Sequence, residues 1–124
     1  MTGRQVAIVE DNAIIALDIG KRLEKLGHSV AGVAATAADA LRIVEETEPD
    51  LVLMDIRLKG EEDGIAAAEA IRSRFNTPII FITAHSDQSV VERAQGTNPS
   101  GYLVKPIRME DFTTAIGDIF ARKE

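Results

Sequence analysis

Five short apolar runs alternate along the chain with segments of helical period: Gln5 to Val9, Ser29 to Ala34, Leu51 to Met54, Ile79 to Ile82 and Tyr102 to Val104. In three of them the stretches VAIV, LVLM and IIFI are apolar without a break. A strand with one wet face alternates apolar and polar residues, whereas an unbroken run fits a strand covered on both faces of a parallel sheet. Between the runs, Ile15, Ile19, Leu23 and Leu26 recur at i, i+4, i+8 and i+11, one stripe of a helix that Gly27 can end. Ala37, Leu41 and Val44 repeat that logic, with Thr36 as N-cap and Pro49 beyond the end. Ile65, Ala68, Ile71 and Phe75 form a third stripe, and Phe112, Ile116, Ile119 and Phe120 a last one. The least regular helical segment is Gln88 to Gln95. The order is therefore βα repeated five times. Right-handed crossovers turn that order into an α/β fold: a three-layer, doubly wound, five-stranded parallel sheet with helices on both faces.

At 124 residues and 45% apolar content the chain supports one domain with a single core, spanning residues 1–124. Cysteine is absent, so neither a disulfide framework nor a thiolate zinc site is available, and packing alone must hold the fold. No apolar stretch reaches the roughly 18 residues of a membrane span, and the start resembles no signal peptide; a soluble, cytoplasmic protein is the expectation. The net charge of -6 argues against binding the phosphate backbone of nucleic acid and suits binding divalent cations.

The chemistry lies at the ends of the runs. Glu10 and Asp11 come directly after the first, Asp55 after the third, Thr83 after the fourth and Lys105 after the fifth. Open parallel sheets bind ligands at the carboxyl ends of their strands, where strand order reverses; in a 2-1-3-4-5 winding that point lies between strands one and three. Three carboxylates gathered there repel, since two unit charges at about 4 Å with an effective dielectric near 20 cost roughly 4 kcal/mol before screening. A hard cation held by oxygens offsets this, and Mg²⁺ typically takes one or two carboxylates, waters and a phosphate. Lys105 adds a second positive charge for anionic oxygen. The set reads as a phosphoryl-transfer site with an aspartate nucleophile, in which Thr83 is placed to donate to a phosphoryl oxygen.

These residues, in this order, resemble the receiver domains of two-component response regulators from about Gln5 to Arg122. The matching pieces are Glu10 and Asp11 after VAIV, LVLMDIRL with Asp55, FITA with Thr83, and GYLVKP with Tyr102, Lys105 and Pro106. The resemblance implies a flavodoxin-like sheet of order 2-1-3-4-5, with Asp55 accepting a phosphoryl group from a histidine kinase or histidine phosphotransfer protein. It implies that Asp11, Asp55 and the backbone carbonyl of Arg57 ligate Mg²⁺, with Glu10 assisting through water. Lys105 would contact the phosphoryl group, and Thr83 and Tyr102 would form the switch. The output would pass to an effector or a homodimer partner through the face of the fourth helix, fifth strand and fifth helix. Such a domain is no enzyme beyond its own phosphorylation and slow autodephosphorylation. In this family the Lys-Pro peptide is typically cis, which is carried to Lys105-Pro106.

Some positions depart from the common pattern. Glu10 replaces the usual aspartate, and the loop LKGEEDG is one residue longer than usual. Arg57 and His85 occupy places that tune phosphoaspartate lifetime in the family. Apart from the resemblance, His85 reads as a solvated loop residue, His28 as structural, and Glu61, Glu62 and Asp63 as a loop that supplies a helix cap. The segment AQGTNPSGY is expected to shorten or loosen the fourth helix. Two rival chemistries fit less well. A hydrolase resembling the haloacid dehalogenases wants a second acid two residues after the nucleophile, where Arg57 stands. A flavodoxin-type cofactor site wants a glycine- and hydroxyl-rich loop where Glu10, Asp11 and Asn12 would repel phosphate. A pseudo-receiver would have lost one of the five strand-end residues, and all are present.

Overall fold

The computed structural model describes residues 3–58, 60, 62–84 and 88–123. The elements run β1 (Gln5–Val9), α1 (Ala13–Lys25), β2 (Ser29–Ala34), α2 (Ala37–Thr47), β3 (Leu51–Asp55), α3 (Gly64–Arg74), β4 (Ile79–Thr83), α4 (Gln88–Gln95), β5 (Gly101–Val104) and α5 (Met109–Lys123). All strands are parallel, in the order β2-β1-β3-β4-β5. The expected doubly wound α/β architecture is the one observed.

Period-two alternation divides the strand residues between two cores. Val6, Ile8, Leu51, Leu53, Ile80 and Ile82 pack with Ile19 and Leu23 of α1 and with Phe112, Ile116, Ile119 and Phe120 of α5. Ala7, Val9, Val52, Met54, Ile79 and Phe81 face the other way, against Ala40 and Val44 of α2, Ile65 and Ile71 of α3 and Ala94 of α4. Unbroken apolar runs are thus explained: each strand needs an apolar residue for both layers. Each fully buried Ile or Leu contributes about 1.5–3 kcal/mol, so the strand interiors are fixed firmly and their carboxyl ends can carry polar groups.

Helix starts obey local chemistry. Asn12 caps α1, its side chain accepting from the N–H groups of Ile14 and Ile15 at 3.0 and 3.2 Å. Thr36 caps α2 and Asp63 caps α3 in the same manner. Beyond α1, Gly27 takes a φ of 89°, in the left-handed region that favours glycine. The stretch after Gln95 does end α4 after eight residues: Gly96 and Thr97 donate back to the last turn, and Asn98 sits at φ 56°.

Four boundaries differ from the sequence reading. β3 and β4 each extend one residue past their apolar runs to include Asp55 and Thr83, because ladder pairing continues through Asp55↔Ile82 and Thr83↔Val104. β5 begins at Gly101 rather than Tyr102. Phe75, grouped with the α3 stripe, comes after the helix as an extended capping residue and packs half-buried against the α2/α3 core.

Candidate functional site

The carboxyl ends of β1, β3, β4 and β5 open on one crevice of about 260 Å³, lined by Glu10, Asp11, Asn12, Ile15, Asp55, Ile56, Arg57, Thr83, Ala84 and Lys105. Every charged residue predicted for the site is on that surface.

Glu10 continues β1, its N–H donating to Ala34 O at 2.8 Å, and it is only 2% exposed. Its Oε2 accepts from the N–H of Asn12 at 3.1 Å, so the residue that caps α1 also pins the carboxylate. Asp55 ends β3 at 5% exposure. Its Oδ1 accepts from the N–H of Arg57 at 3.1 Å, and its Oδ2 accepts from Lys105 Nζ at 2.8 Å. Lys105 Nζ also donates to Glu10 Oε1 at 2.9 Å, so one ammonium bridges two buried carboxylates. The backbone N–H of Lys105 donates to Thr83 O at 2.8 Å, and Lys105-Pro106 is cis as expected.

Oxygen ligand atoms of Glu10, Asp11 and Asp55 all lie within 4.8 Å of one another. Burial, reinforced by the Asp55 carboxylate, pushes the Glu10 carboxyl up to about 7, although Lys105 and the Asn12 N–H pull the other way. Burial disfavours the charged form of Lys105, but its hydrogen bonds to Asp55 and Glu10 outweigh that and its pKa is raised. The site therefore keeps its cation and holds one carboxylate reluctant to ionise beside another. An all-oxygen donor set with excess negative charge, partly open to solvent, suits a hard divalent ion that retains waters.

Thr83 is half-buried at the rim, and the Arg57 side chain is exposed at the mouth. Tyr102 is not brought to the crevice. It pairs with Phe81 across the β4–β5 ladder and stacks on that ring at 6.0 Å. His85 and Glu61 lie outside the described residues. Glu62 is exposed, and Asp63, besides capping α3, pairs with Arg93 of α4 at 3.1 Å.

Two contributors escape the sequence reading. Asn12 reads along the chain only as a polar interruption, yet an Asn just before a helical stripe is a cap signal. Gly64 has a stricter role: a Cβ there would lie 2.0 Å from Asp55 O, and its N–H donates to Ile56 O at 2.7 Å. The start of α3 thus presses on the peptide that carries Asp55. A glycine closing an acidic loop is the available signal.

A family model described as "Response regulator receiver domain" matches residues 6–117. The chain is 39% identical over 113 residues to the transcriptional regulatory protein PdtaR of Mycobacterium tuberculosis, covering 91% of this chain and 55% of that protein. It is 33% identical to the phyllosphere-induced regulator PhyR of Methylorubrum extorquens, covering 90% of this chain and 42% of that protein. The chain thus spans about half the length of the curated relatives it matches. Among solved structures, the signal receiver domain of a modulated diguanylate cyclase from Desulfovibrio desulfuricans G20 superposes with a TM-score of 0.90 at 36% identity, covering 98% of this chain and 96% of that one. The receiver domain of Erythrobacter litoralis PhyR gives 0.83 at 34% identity, covering 97% and 92%.

Proposed function

The chain belongs to the response regulator receiver domain family, and from that premise we propose that Asp55 is its phospho-acceptor. The observation that carries this is the Asp55 carboxylate: buried at a strand end, held by the Arg57 N–H and the Lys105 ammonium, and open to the crevice. In the proposed step an Asp55 oxygen attacks the phosphorus of a phosphohistidine on a histidine kinase or phosphotransfer protein. The O–P bond forms, the P–N bond breaks, and the imidazole nitrogen keeps the electron pair and takes up a proton. Lys105, released from part of its pairing with Asp55, neutralises charge on the phosphoryl oxygens. Glu10, Asp11, Asp55 and the Arg57 carbonyl would hold Mg²⁺, which when bound supplies further charge neutralisation there.

Thr83 stands at the same rim, and its hydroxyl is the group proposed to sense the phosphoryl oxygens. Tyr102, on the adjacent strand, is proposed to turn with it and so alter the face of α4, β5 and α5 that an effector or a second copy reads. A ligand shifts such an equilibrium only by its differential affinity for the two states, so the partner must touch that face. No reaction on another substrate is assigned, and a cytoplasmic setting among kinases is part of this reading. Incubation with a small acyl phosphate and Mg²⁺, followed by intact-mass spectrometry, tests it. A single phosphoryl adduct should form on the wild type, vanish with a chelator and be absent from Asp55→Asn. Equal labelling of Asp55→Asn would move the acceptor elsewhere.

A further inference from the structure

The Lys105 amine crosses from the end of β5 to the ends of β1 and β3, and the backbone behind it is a short connection, residues 105–108, between β5 and α5. The entry of that connection is tied to the sheet, the Lys105 N–H donating to Thr83 O at 2.8 Å. The next residue, Pro106, has no N–H to donate. The segment just past Lys105 is therefore held by neither a ladder nor a helix.

A side chain from α1 holds it instead. Arg22, in the last turn of that helix and 85 positions away, donates from Nη1 to Ile107 O at 2.7 Å. The guanidinium is itself held on two further sides. Its Nε pairs with Asp18, one turn earlier, at 3.1 Å, and its Cζ stands 5.8 Å from the ring centroid of Phe112 in α5. Phe112 is fully buried, and Ile107 packs against the same core. A planar fork with donors at fixed angles serves a carboxylate, a carbonyl and a ring face at once, which the point charge of a lysine does not. Ile107 O is neutral, so the contact fixes a backbone atom in place rather than balancing a charge.

We propose that Arg22 is a positioning residue for the phosphoryl-transfer site: by pinning Ile107 O it fixes the backbone two residues past Lys105 and holds the Lys105 ammonium at the strand ends. This rests on the reading of Asp55 as phospho-acceptor and Lys105 as its phosphoryl contact. Arg22 does not line the crevice and acts only through the connection. A shift of about 1 Å behind the amine is enough to stretch its contacts of 2.8 Å to Asp55 and 2.9 Å to Glu10 beyond hydrogen-bonding distance.

The test compares wild type, Arg22→Met, Lys105→Met, the double variant and Val44→Ala. Methionine keeps an apolar stem against Phe112 and removes the fork. Val44→Ala cuts into the α2 layer on the other face of the sheet and serves as a destabilised control. Each protein is labelled with acetyl phosphate and Mg²⁺ at a temperature where circular dichroism shows it native. The Asp55 oxygen takes the phosphoryl group, and acetate leaves with the electron pair of the broken O–P bond. Intact-mass spectrometry gives the rates, and urea unfolding with a chelator gives the unfolding equilibrium constants.

Arg22→Met should slow labelling about 5- to 50-fold, short of the roughly 100-fold that a 1 Å misplacement can cost. Val44→Ala should lose stability yet label at the wild-type rate. With Lys105→Met already present, Arg22→Met should change the rate less than about 2-fold, because no amine is left to position. The two variants' effects on the unfolding constant should also fall short of multiplying, by about 2-fold or more. A wild-type rate in Arg22→Met, an equal rate loss in Val44→Ala, or an undiminished effect of Arg22→Met once Lys105 is gone would overturn the proposal. If the wild type takes no label the phospho-acceptor reading falls, and if Lys105→Met takes none the rates cannot be compared. In both cases the unfolding cycle decides: effects short of multiplying keep Arg22 as the residue that positions Lys105, and effects that multiply end that role.

Discussion

Replacing Lys105 by methionine removes the ammonium and keeps a flexible stem of similar length, so the lost charge is read without a large packing change. Two hydrogen bonds to carboxylates disappear, at 2.8 Å to Asp55 and 2.9 Å to Glu10. Hydrogen bonds to charged groups are worth about 1.5–3 kcal/mol each, and the low end applies because the Lys105 side chain keeps 21% of its surface in water. The loss must depend on pH. The Glu10 carboxyl, raised to about 7, is ionised at pH 8.5 and mostly protonated at pH 5.5, where its hold on the ammonium weakens. Lys105→Met should therefore cost about 3 kcal/mol at pH 8.5 and roughly half that at pH 5.5. Urea unfolding with a chelator present reads this as a midpoint shift, about 1–3 M at the higher pH for a slope of about 1–3 kcal/mol/M. The wild type has its own signature. A carboxyl whose folded pKa exceeds its unfolded value of 4.5 binds more protons when native, so its contribution to stability falls as pH rises from 4.5 through about 7. Equal losses at both pH values, or a variant more stable than wild type at pH 8.5, would refute the argument that one cation holds two buried carboxylates.

Mg²⁺ at ten times its dissociation constant should add roughly 1.4 kcal/mol to stability by linkage. That corresponds to about 5 °C in Tm by scanning calorimetry. Asp11→Ala should melt higher than wild type without Mg²⁺ and lose the response; an unchanged response would remove Asp11 from the ion site. Gly64→Ala should destabilise by about 1–3 kcal/mol through overpacking. Because its Cβ would meet Asp55 O at 2.0 Å, phosphorylation should fall even in the folded fraction, measured by labelling at a temperature where circular dichroism shows the variant native. His28 Nδ1 accepts from the Arg4 N–H at 3.0 Å while its ring edge rests on Phe120 at 4.8 Å. Burial and the Arg4 charge lower its pKa, against a smaller opposite pull from Asp50. A histidine with a depressed pKa takes up its proton more readily when unfolded, so stability should fall as pH drops below about 6.5, and His28→Gln should flatten that part of the profile; an unaltered slope would exonerate His28.

The alternation of runs and stripes made the sheet and its helices legible, because a strand buried on both faces cannot hide its composition. The strand-end rule then put Glu10, Asp11, Asp55, Thr83 and Lys105 at one edge before any distance was known. What periodicity could not supply was the register of the last residue: Asp55 and Thr83 belong to the ladder itself, so their side chains are aimed by sheet geometry rather than by a loop. Nor could it show that the Lys105 amine reaches back 95 positions to Glu10, a contact that depends on how far the fifth strand runs before turning. Gly64 was silent for a related reason. A glycine's role lies in what its missing Cβ would strike, and that neighbour, nine positions earlier at Asp55, becomes adjacent only when α3 folds back over the strand end. Tyr102 shares a sheet face with Thr83 and is set apart from the crevice by its place along the strand. It is the ladder partner of Phe81, two positions before the Thr83 that reaches the crevice rim, so a signal between Thr83 and Tyr102 crosses the β4–β5 ladder beside the Phe81 ring on which Tyr102 stacks. That makes Phe81 the side chain whose shape should set the efficiency of the switch.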